Sequence, residues 1–174
     1  MAIEVYTGSF GLKEITHLLK RCLFGVKRAE VNSLLGQSVS TVVDALLQDT
    51  PLPNPPVNNY NDANYTDAAI LRGQTWVTAP LGDGTANARR VSSLKSWWTL
   101  QMLNQSVSLR EKMVLFWHNH FATEADVVSD ARYLYKHNHL LRTSAFGNFK
   151  TLVKQITLDP AMLRYLNGYL NTKT

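Results

Sequence analysis

The residues with the clearest chemical potential are three histidines in the C-terminal half of the chain. His118 and His120 stand two residues apart in the sequence FWHNHF, and His137 lies on the next predicted helix. Imidazole groups can ligate a divalent metal ion or transfer protons near neutral pH. Acidic side chains that could complete such a site stand in between, at Glu124, Asp126 and Asp130. We therefore hypothesise a metal-dependent or acid/base site of the hydrolase type between segments 109–121 and 130–145.

A helical conformation of residues 109–121 restricts how the neighbouring histidines can act. Successive helical residues are rotated by about 100°, so His118 and His120 point apart and cannot chelate the same ion. The pattern groups His120 with Met113 and Trp117 and puts His118 nearly opposite, on a helix that is apolar almost all round and is expected to be central. A cluster of His120 with His137 and one carboxylate is then geometrically feasible, with His118 in support. The candidate catalytic residues are His120 and His137, and the candidate ligands of a divalent metal ion are His118, His120, His137 and Asp126.

The alternative is that the same histidines belong to the core. In that case backbone, asparagine or carboxylate groups would satisfy the nitrogens of His120 and His137. His137 and Asn138 border the side of their helix that is expected to be buried, whereas His139 and His17 are expected to face solvent. No two histidines have the i, i+4 spacing of zinc metallopeptidases, and no phosphate-binding glycine loop occurs.

Hydrophobic periodicity predicts an all-α fold, a multi-helix bundle. The predicted helices cover residues 12–23, 28–35, 40–47, 86–104, 109–121, 130–145, 148–156 and 160–167. Ser108 and Glu111 have the S-x-x-E spacing of a capping box and should open the fifth helix, and Ser129 should cap the sixth. Because Trp117 is expected to be buried, Trp117→Ala should cost about 3–5 kcal/mol.

Residues 50–85 differ from the rest of the chain because they are rich in proline, asparagine and glycine. Such a composition predicts a long loop insertion, which Trp76 and Leu81 should fix to the helices. The whole of 1–174 is interpreted as a single helical domain. A second hypothesis of function follows, in which the chain is a non-catalytic binding or scaffold module that uses Trp76 and this loop as its contact surface.

Composition and charge exclude several classes of protein. The formal net charge is +5, but the basic residues form short scattered pairs without an aromatic stripe, so nucleic acid is not the expected partner. No run of residues is long and apolar enough for a membrane span, and the first residues lack the layout of a secretory signal. The single cysteine, Cys22, allows no internal disulfide and is expected to be a small buried hydrophobe.

Several segments carry a family resemblance. They include HLLKR from His17, LREKMVLFWHNHFAT from Leu109, GNF from Gly147 and DPAMLRYLNG from Asp159. Over about residues 17–168 the chain resembles a bacterial family, the domain of unknown function 1800 family. The resemblance implies a longer protein of which this is the N-terminal portion, so its own C-terminal region and a co-encoded protein become expected partners. It also implies that members are often exported, and it implies no established activity or cofactor.

Overall fold

Nine α-helices and one short 3-10 helix make up the secondary structure of the residues that the computed structural model describes, Glu4 and 6–172. The helices are α1 (Leu12–Cys22), α2 (Arg28–Leu34), α3 (Val39–Leu47), α4 (Gly84–Asn104), α5 (Arg110–His120), α6 (Ala125–Val128), α7 (Ala131–Thr143), α8 (Phe149–Ile156) and α9 (Pro160–Tyr165). No β-strand forms among the described residues, so the all-α prediction is confirmed. The four-residue helix α6 was not predicted from the sequence.

Polar side chains determine where several helices begin. Asn148 and Asp159 accept hydrogen bonds from Thr151 N and Met162 N and so cap α8 and α9. The predicted capping box of α5 is wrong. The Glu111 side chain points into the core, where it binds Arg142, and does not form the hydrogen bond to the backbone that a capping box requires.

Ser129 does not cap α7 either. Asp130 takes that place by accepting a hydrogen bond from Arg132 N. Ser129 instead ends α6 in the left-handed region, with φ of 55°.

Three clusters of buried apolar side chains hold the helices together. The first lies among α1, α2 and α3, and the second joins α5, α7, α8 and α9 around Val114 and Leu141. The third packs Trp76 and Ala79 against Leu94 of α4 and the start of α7. The central helices α4, α5 and α7 therefore have neighbours on several sides. No helix of the described part of the chain is long and apolar enough to cross a membrane.

Residues 48–83, between α3 and α4, contain no helix in the structure. Trp76 is completely buried and its Nε1 donates to Ser93 Oγ at 3.2 Å, so the prediction that it fixes this segment is confirmed. Leu81 is 45% exposed, and the anchoring role predicted for it is wrong. Because Trp76 is inaccessible, it also cannot form part of the contact surface that the scaffold hypothesis assigned to it.

The rotation of α5 about its own axis also differs from the prediction. Val114 is completely buried, whereas Phe116 is 55% exposed and His120 is exposed. The buried face runs through Glu111 and Val114 to His118, because Glu111 has a charged partner on α7. Apolar periodicity could not select this face, since α5 is apolar on nearly every side.

Candidate functional site

A cleft of about 320 Å³ opens between α4, α5 and α7 and is closed at one end by residues 123–125. Apolar side chains form most of its wall, namely Val91, Leu94, Trp98, Ala125 and Leu134. The polar side chains that line it are Lys95, His118, Thr123, Glu124 and Asn138. The cleft thus combines an apolar interior with a few polar groups, which is the usual composition of a small-molecule site.

Of the titratable side chains that line this cleft, His118 is the one that is half-buried, whereas Lys95 and Glu124 are exposed. Its half-buried ring lies between Trp98, at 5.0 Å between ring centroids, and His137, at 5.8 Å. Among the described residues no side chain or backbone group forms a hydrogen bond with its ring nitrogens. Burial lowers the pKa of His118, and the neighbouring His137 lowers it further. The imidazole is therefore neutral at pH 7 and has a nitrogen free to accept a proton.

His137 has a different hydrogen-bonding state. It is buried, its Nδ1 lies 2.9 Å from Asp159 Oδ1, and its Nε2 lies 2.9 Å from the carbonyl oxygen of Phe121. Both ring nitrogens of His137 are therefore engaged by oxygen atoms of the protein. It packs beside the cleft and has no nitrogen left for a substrate.

Of the other residues that the sequence analysis considered, Glu124 lines the cleft, whereas His120 and Asp126 lie outside it. His120 is exposed and contacts the rings of Trp117 and Phe121, and Asp126 is exposed on α6. The structure therefore does not bring His120 and His137 together, because α5 turns His120 to the opposite side. Within the described part of the chain, no three His, Cys, Asp or Glu side chains converge closely enough to hold a metal ion.

A buried chain of polar contacts runs behind the cleft. Arg142 donates from Nε and Nη2 to the two carboxylate oxygens of Glu111, at 2.9 and 2.8 Å. Trp98 Nε1 donates to the same carboxylate at 3.0 Å, and Arg142 Nη1 donates to Asn138 Oδ1. This two-point arginine–carboxylate contact fixes the guanidinium in one orientation.

That chain also fixes the orientation of the Asn138 amide. Arginine has only donors, so the oxygen of the amide must face Arg142 and its Nδ2 must point elsewhere. Asn138 is 3% exposed, and Nδ2 has no hydrogen-bond partner among the described residues. Thr123 Oγ1, on the same cleft, is also buried without a partner. Since an unsatisfied buried donor costs about 1–3 kcal/mol, the cleft offers two groups that a bound acceptor would stabilise.

Sequence reasoning missed Glu111, Arg142 and the role of Asn138. The available signal was the i, i+4 spacing of Asn138 and Arg142 on the otherwise apolar face of α7, which marks a buried polar pair. Glu111 was assigned to a local cap, and no local pattern encodes its contact with Arg142, which lies 31 residues away.

Comparisons with known proteins bear on the family of this chain. A search of curated proteins found no match, and a search of solved structures found none either. One protein family matches residues 17–174, a range that includes α4, α5 and α7 and therefore the whole cleft. The chain belongs to this family, which is described as "Protein of unknown function (DUF1800)".

Proposed function

We propose that the cleft is an acid/base site of the hydrolase type in which His118 accepts a proton from water. The observation that carries this proposal is the coexistence, in one apolar cleft, of a neutral histidine with free nitrogens and a donor held in a fixed orientation. His118 thereby replaces His120 as the candidate base.

The steps of the reaction follow from the positions of these groups. His118 takes a proton from a water molecule as the water oxygen bonds to an electron-poor carbon of the substrate. Negative charge then develops on the oxygen attached to that carbon, where Asn138 Nδ2 and Thr123 Oγ1 can donate to it. When the bond to the leaving group breaks, protonated His118 returns the proton to that group.

The surroundings of the cleft favour this chemistry. Its apolar walls lower the local dielectric constant, so a hydrogen bond to a developing charge is worth more there than in water. The Glu111–Arg142 pair keeps the Asn138 donor in place before a substrate arrives, so little reorganisation is needed during the reaction.

The metal-dependent form of the hypothesis stays a prediction. Of the described residues that line the cleft, only His118 and Glu124 belong to the His, Cys, Asp and Glu types that commonly bind divalent metals. We therefore derive the reaction from the protein's own acid/base and donor groups.

A pair of histidine variants tests the proposal. Hydrolysis of a panel of p-nitrophenyl esters is measured for the unmodified protein, for His118→Asn and for His120→Asn. General base catalysis contributes about 100-fold or more, so His118→Asn should lose at least that factor. His120→Asn is a matched control on the same helix and should retain the rate.

Three results would overturn the proposal. One is a wild-type rate no faster than buffer with every ester, and another is an unchanged rate in His118→Asn. The third is a loss in His120→Asn that equals or exceeds the loss in His118→Asn, because it would return the catalytic role to the exposed histidine.

A further inference from the structure

We infer that the substrate is a neutral carboxylic ester with a small apolar acyl group, bound through its carbonyl oxygen. This inference rests on the proposed hydrolytic function and specifies its substrate class. It rests on the chemical type of the buried atoms in the cleft that have no hydrogen-bond partner.

The unpartnered buried atoms of the cleft require an acceptor. Asn138 Nδ2 can only donate, and its orientation is fixed because Arg142 holds the amide oxygen. Thr123 Oγ1 lines the same cleft, is also buried without a partner among the described residues, and can donate. An uncharged carbonyl oxygen has two lone pairs and can accept from both groups, and in hydrolysis this same oxygen gains the negative charge.

The charges around the cleft argue against a phosphate or sulfate ester. Arg142 is 1% exposed and its guanidinium is engaged by Glu111 and Asn138, so it is not available to an anion. The charged side chains that line the cleft, Lys95 and Glu124, are both exposed and of opposite sign. Of the described residues that line the cleft, none is a buried cation of the kind that binds a phosphoryl group in a low-dielectric environment.

The apolar wall determines the rest of the substrate. Leu94, Trp98 and Leu134 come from two helices and face the same volume of about 320 Å³, which lies at the lower end of the usual range for small-molecule pockets. A sugar would leave its hydroxyl groups unpaired against this wall, at a free-energy cost for each one. An aliphatic acyl group loses no hydrogen bonds there and gains from leaving water.

The catalytic cycle balances for such a substrate. The oxygen of water bonds to the acyl carbon, the acyl carbon–oxygen bond of the ester breaks, and the alcohol leaves with the proton carried by His118. The products are a carboxylic acid and an alcohol, so no oxidant, reductant or second substrate is required.

Binding of butyramide tests the substrate class without relying on turnover. This neutral amide presents the carbonyl and a short apolar chain but resists hydrolysis. We expect saturable binding in NMR titrations of the full chain, with a shift of the side-chain NH₂ signal of Asn138. Asn138→Asp keeps an oxygen towards Arg142 and removes the donor, so it should weaken butyramide binding about tenfold or more.

Further variants and a second probe give the test its controls. Thr123→Val removes one hydroxyl at constant size and should weaken butyramide binding by a smaller factor, and it replaces Asn138→Asp if that variant does not fold. His120→Asn should bind butyramide within about threefold of the unmodified protein, since His120 is exposed and lies outside the cleft. n-Propyl phosphate should bind more weakly than butyramide.

The outcomes separate the inference from the proposed function. Tighter binding of n-propyl phosphate, no binding of butyramide, or butyramide binding that neither Asn138→Asp nor Thr123→Val weakens would overturn the substrate class. If butyramide binds as expected while His118→Asn leaves ester hydrolysis unchanged, the proposed catalytic role fails and the ligand class stands. If His118 is required for hydrolysis but butyramide fails these tests, only the substrate class falls.

Discussion

Arg90 and Arg142 each bind a carboxylate inside the protein, the first beneath residues 48–83 and the second behind the cleft. Arg90 donates to Asp67 at 2.7 and 2.9 Å and to the carbonyl oxygens of Pro80 and Leu81, and Tyr60 also donates to Asp67. Arg142 also uses Nε and Nη2, but it donates to both carboxylate oxygens of Glu111, whereas both bonds from Arg90 go to Asp67 Oδ2. The two pairs are equally buried, with both arginine side chains 1% exposed.

The two regions differ in what surrounds the ion pair. Around Arg90, the groups in contact with the pair find partners within the protein, so this cluster holds a chain segment in place. Around Arg142, the pair orients Asn138 and leaves the donor of that amide without a partner in the cleft. A buried ion pair by itself therefore does not indicate function, and it is the unsatisfied donor of Asn138 that distinguishes the second region from the first.

Removal of either arginine should have the largest effect on stability. Arg90→Ala and Arg142→Ala each leave a buried carboxylate unpaired, and we expect losses of about 3–5 kcal/mol in the free energy of unfolding from urea denaturation. The double variant Arg90→Met, Asp67→Leu should recover much of the first loss, because it removes both charges. If Arg90→Ala abolished butyramide binding in protein that is still folded, the distinction between the two regions would be wrong.

Variants at two tryptophans test how much each side chain contributes to the stability of the region around it. Trp76→Ala empties a completely buried site and should cost about 3–5 kcal/mol in thermal or urea unfolding. Trp117 is only half-buried, so Trp117→Ala should cost less than the sequence analysis predicted and less than Trp76→Ala. Leu81→Ala, at a largely exposed position of the same segment as Trp76, should stay within about 0.5 kcal/mol of the unmodified protein. Equal losses for Trp76 and Leu81 would contradict the anchoring described here.

A matched pair of asparagine variants sharpens the comparison. Asn58 is completely buried and uses both ends of its amide: Nδ2 donates to Ile70 O at 2.8 Å, and Oδ1 accepts from Tyr60 N and Asn61 N. Asn58→Asp places an acceptor against that carbonyl and should cost about 1–3 kcal/mol. Asn138→Asp breaks no hydrogen bond within the protein and should cost less in the same unfolding assay. The reverse order would show that Asn138 Nδ2 already has a structural partner.

The smallest effect expected is a change in the pH dependence of stability. Burial lowers the pKa of His118 below its usual 6.5, so the unfolded chain binds the proton more readily than the folded protein. Stability should therefore fall as the pH drops below about 6.5, and it should fall less steeply in His118→Asn. Burial also lowers the pKa of His139. His118→Asn should therefore keep the part of the pH dependence of stability that His139 causes. Identical slopes for both proteins between pH 7 and pH 5 would show that His118 is not desolvated.

The ends of several helices were predictable, because the residue that caps a helix is adjacent to it in the sequence. Asn148 and Asp159 cap α8 and α9, and Pro160 occupies the first position of a helix, where its missing N–H costs nothing. The sequence analysis expected a site between α5 and α7; the cleft is also lined by α4 residues, which no pattern assigned to it.

The identity of the histidine in the cleft was not predictable from local patterns. A helix that is apolar on nearly all sides can turn either His118 or His120 inwards, and the choice depends on Glu111, whose partner lies on another helix. The S-x-x-E spacing supplied a local explanation for Glu111, and the tertiary contact with Arg142 overrides it. The charge pair between Glu111 and Arg142 therefore determines the rotation of α5, which hydrophobic periodicity could not predict.

One oxygen atom of Asp159 joins two helices that meet outside the cleft. Oδ1 accepts from Met162 N in the first turn of α9 and also lies 2.9 Å from Nδ1 of His137 on α7. A displacement of α9 away from α7 that lengthened the contact with Nδ1 would leave the His137 ring held only by the Phe121 carbonyl oxygen. Because that ring packs against His118, a mechanical load applied to α9 would reach the candidate base through the Asp159 carboxylate.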